Sequence, residues 1–235
     1  MAKVIIFSGA GISAESGIST FRDTGGLWEE YDIKDVCTAG CLETNRDMTI
    51  EFYNKGRVAL KDKQPNKTHY EIKKLQDKYP NDIKIITQNV DDLFEKAGCQ
   101  KVLHLHGFIT EINCEQCGYI QDIGYKPIQS HTICPNCKNF LRPNIVFFGE
   151  PVPKYRELFK EIDDCEIFVI IGSSGNVINT DFLLSVSDVK YSILNNLEYS
   201  NAINDKLYTK VIYRKATEAI DEIVADIIKY LQNVQ

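Results

Sequence analysis

Long apolar runs are missing from this 235-residue chain: none approaches the roughly 20 residues that a membrane-spanning helix requires. The first apolar stretch, residues 4–7, leads directly into glycines, so we expect a buried strand there and no signal peptide. Basic residues are in the minority, with 27 Lys and Arg against 33 Asp and Glu and a net charge of −6, which argues against general nucleic-acid binding. We expect a cytoplasmic, monomeric protein that binds neither membrane nor nucleic acid directly.

Cysteine is well represented, with eight copies in the chain. Four of them form two Cys-x2-Cys pairs separated by sixteen residues, which is typical of a zinc ribbon. Four thiolates complete a tetrahedron and leave no position for water, so the predicted Zn²⁺ is structural. The pairs are Cys114 with Cys117 and Cys134 with Cys137. The other cysteines fit small buried apolar residues: Cys37, Cys41, Cys99 and Cys165.

Short β-branched runs alternate with helical patterns along the chain. Asn66 predicts the N-cap of a helix that runs through Tyr79, and apolar residues recur with helical spacing over residues 220–231. This alternation predicts an α/β fold built on a doubly wound, Rossmann-like parallel sheet. The predicted strands are residues 4–7, 83–87, 167–171, 192–194 and 210–213.

Two segments interrupt the alternation, and they are interpreted as insertions into a single domain of residues 1–235. Residues from about 28 to 60 look helical, and residues from about 108 to 142 contain the cysteine pairs. We expect these insertions to form a smaller helical and zinc-ribbon module. The large, Rossmann-like part would then comprise residues from about 1 to 27, 61 to 107 and 143 to 235.

A glycine-rich loop follows the first predicted strand. The residues from Gly9 to Ala14 fit the pattern G-x-G-x-x-G/A, in which backbone N–H groups approach a pyrophosphate. An ordinary glycine turn is the alternative. The chain continues with a segment rich in Gly, Ser and Thr, where a dehydrogenase would have a second strand and an acidic residue. The pattern therefore predicts a bound dinucleotide that does not take part in hydride transfer.

Polar side chains come directly after the predicted strand 83–87. Gln88, Asn89 and Asp91 lie where ligands bind at the carboxyl end of a parallel sheet, although a polar turn with Asp91 as a helix cap explains them equally well. His104 and His106 are two residues apart, which places both on one face of an extended segment. Each fits either a general base or a structural histidine.

Taken in order, these motifs resemble those of the sirtuin family. The matching segments are residues 9–13, 17–22, 87–91, 105–107, both cysteine pairs, 142–150, 172–174 and 196–198. Each segment is a weak signal alone, but the full set in this order is specific and spans nearly the whole chain. The resemblance implies a Rossmann-like fold with a zinc ribbon, NAD as a consumed co-substrate, and the removal of acyl groups from protein lysines.

The resemblance also implies roles for individual residues. His106 would be the general base that takes a proton from the ribose, and Asn89 would be the second catalytic residue, while His104 stays structural. The acyl oxygen would attack the ribose carbon that loses nicotinamide, giving free lysine and O-acyl-ADP-ribose. NAD contacts are implied for Gly9, Ala10, Gly11, Ser13, Thr20, Phe21, Arg22, Trp28, Gln88, Asn89, Val90, Asp91, Gly172, Ser173, Ser174, Asn196, Leu197, Glu198 and Ala216.

The acylated peptide would bind the apolar segment 146–150 by backbone pairing. From its sequence alone, this segment is also typical of a core strand. In the resemblance, the residues that contact the peptide are Val146, Phe148 and Gly149.

The acyl group itself is less clearly specified. Tyr53 resembles the tyrosine of the family branch that removes acidic acyl groups, in which an arginine follows three residues later. Here that position is Gly56, and Arg57 lies about 100° further round a helix. We therefore expect Tyr53 and Arg57 to line the acyl site, with acetyl preferred and succinyl or malonyl as weaker substrates.

Two other functions stay open. A protein ADP-ribosyltransferase would use the same cofactor chemistry with a different acceptor, and a non-catalytic scaffold would bind NAD or peptide without turnover. An NAD dehydrogenase is the least favoured, because the second half of its nucleotide-binding unit is missing.

Overall fold

The computed structural model describes residues 4–19 and 31–233, and these form nine strands, nine α-helices and one 3₁₀ helix, Asp205–Leu207. The strands are β1 (Val4–Ser8), β2 (Ile83–Thr87), β3 (Leu103–His104), β4 (Gly107–Asn113), β5 (Ile120–Asp122), β6 (Arg142–Ile145), β7 (Ile167–Ile171), β8 (Tyr191–Asn196) and β9 (Lys210–Tyr213). The helices are α1 (Gly11–Ala14), α2 (Ile33–Val36), α3 (Cys41–Thr44), α4 (Arg46–Leu60), α5 (Lys67–Lys78), α6 (Leu93–Lys96), α7 (Tyr155–Asp163), α8 (Thr180–Ser185) and α9 (Ala216–Asn233).

Six strands form a parallel sheet in the order β3-β2-β1-β7-β8-β9. The strand order reverses between β1 and β7, so a crevice opens at the carboxyl ends of these two strands, which is where α/β proteins bind ligands. The predicted α/β fold is confirmed, and the five predicted strands are present with boundaries that shift by two residues at most.

The central strands are buried on both faces because alternate side chains point to opposite sides of the sheet. Val4 and Ile6 of β1 pack with α5 and α9 in one apolar cluster. Ile5 and Phe7 pack with α7 and α8 in a second cluster. Each fully buried side chain of this size contributes about 1.5–3 kcal/mol, so the two clusters fix the sheet beneath the crevice.

Helix α5 begins as the sequence predicts. The Asn66 side chain accepts from the Thr68 N–H at 2.9 Å, and His69 Nδ1 accepts from the Asn66 N–H at 3.3 Å, which completes a capping box. Burial lowers the pKa of His69 to about 4, so this ring stays neutral near pH 7. The helix ends at Lys78, one residue before the predicted end.

A second sheet contains β4, β5 and β6, paired antiparallel in the order β5-β4-β6. Helix α4 lies against it: Arg46 donates to the carbonyls of Ser130 and Leu141, both at 2.6 Å, and Asn54 donates to Ile128 at 2.7 Å. The segment predicted as helical contains three helices within residues 31–60, namely α2, α3 and α4. Among the residues that the structure describes, no helix is both long and apolar enough to cross a membrane.

Candidate active site

The glycine loop packs backbone against backbone at the point where the strand order reverses. The Gly9 N–H donates to Ile171 O at 3.1 Å, and the Gly11 N–H donates to Gly172 O at 2.9 Å. A Cβ on Gly11 would lie 2.7 Å from Gly172 Cα, and a Cβ on Gly172, whose φ is +67°, would lie 2.4 Å from Ile12 N. Only glycine fits at such a close approach, and the loop is thereby held over the ends of β1 and β7.

Three polar side chains, one from α1 and two from the loop after β2, form a continuous hydrogen-bonded chain beside the glycines. Asn89 Nδ2 donates to Ser13 Oγ at 3.1 Å, and Ser13 Oγ donates to Asp91 Oδ2 at 2.9 Å. Asp91 Oδ1 accepts from the Leu93 N–H at 3.1 Å and so contacts the first residue of α6, although the N-cap residue of that helix is Asp92 and not Asp91. Burial raises the pKa of Asp91, while the hydrogen bonds from Leu93 and Ser13 oppose that rise.

Residues from the ends of β2, β7 and β8 continue this polar wall. Gln88 Nε2 donates to Ser173 Oγ at 2.8 Å, and Asn196 Nδ2 donates to Ser173 O at 2.9 Å. Ser200 Oγ donates to Ser174 O at 2.6 Å. The structure therefore places together residues that are far apart in the sequence but share the carboxyl edge of the sheet.

The two histidines differ in what their ring nitrogens contact. His106 Nδ1 lies 3.0 Å from Gln88 O, and a carbonyl only accepts, so Nδ1 carries the proton and Nε2 keeps a lone pair in the neutral ring. Burial lowers the pKa of His106, and the bond to Gln88 opposes this. In His104, Nδ1 faces Asn89 O and Nε2 faces Glu95 Oε1, both at 2.9 Å. Of these two rings, that of His106 is the one whose Nε2 has no hydrogen-bond partner among the described residues.

The remaining predicted cofactor residues are distributed around the same edge. Ala10 O accepts from the Ser13 N–H at 3.1 Å, and Val90 O accepts from the Ile109 N–H at 2.9 Å. Ala216 is the buried first residue of α9. Leu197 and Glu198 are exposed, and Glu198 lines a surface depression of about 350 Å³ whose lining does not include His106. Four predicted residues lie outside the described ranges: Thr20, Phe21, Arg22 and Trp28.

The segment predicted to bind peptide is joined directly to the predicted base. The Val146 N–H donates to His106 O at 2.9 Å. The Phe148 N–H donates to Cys37 O, and the Ala39 N–H donates to Phe148 O, both at 2.8 Å. Val146 O accepts no hydrogen bond from residues 4–19 and 31–233, so this backbone has capacity to pair with an added strand.

The same segment is a turn and not the core strand that its apolar composition also allows. Strand β6 ends at Ile145, the Glu150 N–H donates to Phe147 O at 3.0 Å, and Gly149 has a φ of +88°. Phe148 is 42% exposed, whereas Phe147 is 3% exposed and stacks on Tyr53 with ring centroids 5.5 Å apart. The burial of Phe147 could not be predicted from the sequence, because an unbroken apolar run does not reveal which side chain points inward.

The two residues predicted for the acyl site are both buried in helix α4. The Tyr53 hydroxyl donates to Cys37 Sγ at 3.4 Å. Arg57 is fully buried: Nε donates to Ile109 O at 2.7 Å and Nη1 donates to Asn54 Oδ1 at 2.8 Å, while Nη2 has no hydrogen-bond partner among the described residues. Burial lowers the pKa of Arg57 to about 10.

The four paired cysteines converge as predicted. Their Sγ atoms all lie within 4.8 Å of one another, with 3.4 Å between Cys114 and Cys137 and 3.6 Å between Cys117 and Cys134. A tetrahedral Zn²⁺ with Zn–S bonds of about 2.3 Å separates its ligands by roughly 3.8 Å, so these thiolates fit the ion. With four sulfur ligands, the site is closed to water, and its role is structural.

Comparisons with known proteins agree with this geometry. The model of the Sir2 family matches residues 9–179. The NAD-dependent protein deacylase of Helicobacter hepaticus is 40% identical over 253 residues, covering 98% of this chain and 99% of the relative. A Sir2 homologue solved as an NAD complex is 28% identical with a TM-score of 0.84, covering 97% of this chain and 90% of that one.

A further solved structure, Sir2 bound to acetylated peptide, is 25% identical with a TM-score of 0.80, and the match covers 95% of this chain and 92% of that one. The family model spans well over half of the sequence, and it includes the glycine loop, the two histidines and all four paired cysteines. This chain belongs to the Sir2 family.

Proposed function

We propose that this chain is an NAD-dependent protein deacylase that removes acyl groups from lysine side chains. The observation that carries the proposal is the arrangement of His106. Its Nδ1 is fixed by Gln88 O at 3.0 Å, its backbone carbonyl bonds Val146 of the peptide segment at 2.9 Å, and Nε2 is left as an acceptor. One residue thus connects the polar wall of the crevice with the segment proposed to bind the acylated peptide.

When bound, NAD supplies an electrophilic ribose carbon as nicotinamide departs, and the acyl oxygen of the modified lysine attacks it. In this chain, His106 Nε2 accepts a proton from a ribose hydroxyl, and the Gln88 carbonyl holds the ring in the tautomer that can do so. Ser13 holds the Asp91 carboxylate in place by a hydrogen bond, and Asn89 in turn donates to Ser13. The chain thereby positions the reacting groups, which supplies much of the rate acceleration.

The described residues proposed to contact NAD share the carboxyl edge of the six-stranded sheet. The tight backbone approach of Gly9 and Gly11 to Gly172 supports a pyrophosphate site there, and the polar wall supports a site for nicotinamide and its ribose. The set comprises Gly9, Ala10, Gly11, Ser13, Gln88, Asn89, Val90, Asp91, Gly172, Ser173, Ser174, Asn196, Leu197, Glu198 and Ala216.

We further propose that acetyl is the preferred acyl group. The hydroxyl of Tyr53 is already bonded to Cys37, and two of the three Arg57 nitrogens are bonded within the chain. An acidic acyl group would have to reach the buried Arg57 Nη2, so succinyl and malonyl would be weaker substrates. Backbone pairing with Val146 and Gly149, with Phe148 exposed beside them, would make peptide recognition tolerant of sequence.

We also propose a cellular location, a substrate class and an oligomeric state. A site of four thiolates requires reduced cysteines, which supports a cytoplasmic location, and the net charge of −6 supports peptide substrates over nucleic acid. We propose a monomer in which residues about 28–60 and 108–142 form the small module and the remainder forms the NAD-binding part.

A turnover assay tests this function. The purified protein is incubated with NAD and matched acetyl-lysine and succinyl-lysine peptides, and nicotinamide release and peptide mass are measured. We expect peptide-dependent release that is faster with acetyl, and a loss of about 10²–10⁴-fold in His106→Ala. His131→Ala is the matched control, because His131 is exposed and its Nδ1 lies 2.9 Å from Oγ of the neighbouring Ser130.

The other functions predict different products in the same assay. ADP-ribose attached to protein would identify a transferase, and NADH absorbance would identify a dehydrogenase. Absence of nicotinamide release with every acyl peptide would favour a scaffold and overturn the deacylase proposal. Faster release with the succinyl peptide would overturn only the acyl preference.

A further inference from the structure

Arg142, the first residue of β6, is a buried cation whose two terminal nitrogens both have partners, while its Nε has none among the described residues. Its side chain is 6% exposed, and its two terminal nitrogens face the two carboxylate oxygens of Glu150 at 2.7 and 3.1 Å. Nη2 also donates to Ile145 O at 2.9 Å, and Nη1 contacts Glu115. Burial lowers the pKa of Arg142, but Glu150 and Glu115 raise it more, so the guanidinium stays charged.

Glu150 passes this contact on to the turn at residues 147–150. Its Oε2 accepts from the Phe147 N–H at 2.8 Å, and its own N–H donates to Phe147 O at 3.0 Å, so the turn is closed by two bonds. The Arg142 guanidinium carbon lies 4.0 Å from the centroid of the Phe147 ring, which stacks on Tyr53. Arg142 therefore fixes both the backbone of the turn and the ring beneath it.

The third partner belongs to the zinc ribbon. Glu115 follows the metal ligand Cys114 directly and lies within the first Cys-x2-Cys loop. Cys114 is 1% exposed, so the backbone that carries Glu115 is anchored at the metal site. Through Arg142, the position of this loop is linked to the turn at residues 147–150.

We propose that Arg142 is a positioning residue for the acyl-lysine substrate, because it holds the peptide-binding turn against the zinc ribbon. This inference rests on the proposed deacylase function. It assigns the ribbon a part in substrate affinity: the turn that presents Phe148 and Gly149 to the peptide has the correct shape only while Arg142 bridges Glu150 and Glu115. NAD binding, at the other wall of the crevice, does not depend on this bridge.

The test compares substitutions at each end of the bridge in the zinc-loaded protein. Arg142→Lys removes the bidentate hydrogen bonds to Glu150, and Glu150→Gln removes the negative charge that faces the Arg142 guanidinium. We expect each to raise the KM and the Kd for an acetyl-lysine peptide about tenfold, with the KM for NAD and the kcat within about twofold. Glu115→Gln, whose carboxylate is 63% exposed, should raise the peptide KM about two- to threefold.

Glu43→Gln is the matched control, since it removes an exposed carboxylate of the small module that is not among the hydrogen-bond partners of Arg142. Peptide Kd is measured by calorimetry without NAD, and zinc content and thermal melting are measured for every variant. Retained zinc and folding together with a peptide-specific loss support the positioning role. An unchanged peptide Kd in the folded variants, or equal losses in peptide and NAD affinity, would overturn it.

The two proposals fail in different ways. A wild-type protein without peptide-dependent nicotinamide release would overturn the deacylase function and this inference with it. An active wild-type protein whose Glu115→Gln and Glu150→Gln variants bind peptide normally would overturn the inference alone. If Arg142→Lys does not fold, the exposed Glu115 still decides the question, because its substitution leaves the buried pair intact.

Discussion

His106 is the residue whose protonation state decides whether the proposed base can act. Burial lowers its pKa below the ordinary histidine value of 6.5, and the hydrogen bond to Gln88 opposes this only in part. Because the neutral ring is the active form, activity is present above this pKa and is lost as the pH falls through it. We predict that the acid limb of the kcat/KM profile for an acetyl-lysine peptide lies below pH 6.5.

The profile is measured between about pH 4.5 and 8, with circular dichroism at each pH to confirm that the protein is folded. An acid limb centred above pH 6.5 in the folded protein would contradict the lowered pKa of His106. It would also indicate that another group sets the limb.

At this scale the sequence alone does not distinguish His104 from His106, since both have the spacing of one strand face. The difference lies in contacts that come from other parts of the chain, above all Glu95, which faces Nε2 of His104 at 2.9 Å. The resemblance to the family selects His106 as the candidate, and the contacts of the two rings give a physical reason to prefer it. Arg57 is similar: its position in the sequence does not reveal that it is fully buried against Ile109.

At the scale of elements, the parallel strands could be predicted because strands buried on both faces are continuous apolar runs. Strands β4, β5 and β6 could not, because their patterns are weak: β5 is exposed along its whole length, and β6 contains a proline. These strands are stabilised by pairing with one another and by the cysteine pairs. Both are long-range interactions, which a local sequence pattern does not reveal.

The contact between the glycine loop and the end of β7 gives a prediction at this scale. In Gly172→Ala, the new methyl group would lie 2.4 Å from Ile12 N, in addition to the strain of a φ of +67°. We expect a loss of about 2–5 kcal/mol in the free energy of unfolding and at least about tenfold weaker NAD binding. Urea unfolding and calorimetry measure the two effects.

Gly124→Ala is the matched control for this substitution. Gly124 also has a positive φ, +57°, but a Cβ there has no heavy atom within 4 Å. It should cost only the backbone strain, about 1–2 kcal/mol, and leave NAD affinity unchanged. Equal effects of the two substitutions would mean that the close approach of the loop to β7 has no energetic importance.

At the scale of the whole molecule, two sheets with separate cores meet at His106. The six-stranded sheet has two large apolar clusters, one on each face. In the three-stranded sheet, Ile109 of β4 and Ile145 of β6 pack against α2 and α4. The cluster around the cysteine pairs has only four buried members in the described ranges, Ile112, Cys114, Cys134 and Leu141, and two of these are metal ligands. The ribbon therefore depends on its zinc for stability, whereas the sheet that carries the glycine loop does not.

We therefore expect that removing zinc unfolds the three-stranded sheet and leaves the six-stranded sheet folded. After treatment with a chelator, we expect amide hydrogen exchange to become fast in β4, β5 and β6 and to stay slow in β1, β2 and β7. Peptide binding should be lost with the ribbon, because β6 leads directly into the turn at residues 147–150, and added Zn²⁺ should restore both. If β1 and β7 lost protection as fully as β4, the two cores would form one cooperative unit, and the ribbon would be needed for the fold itself.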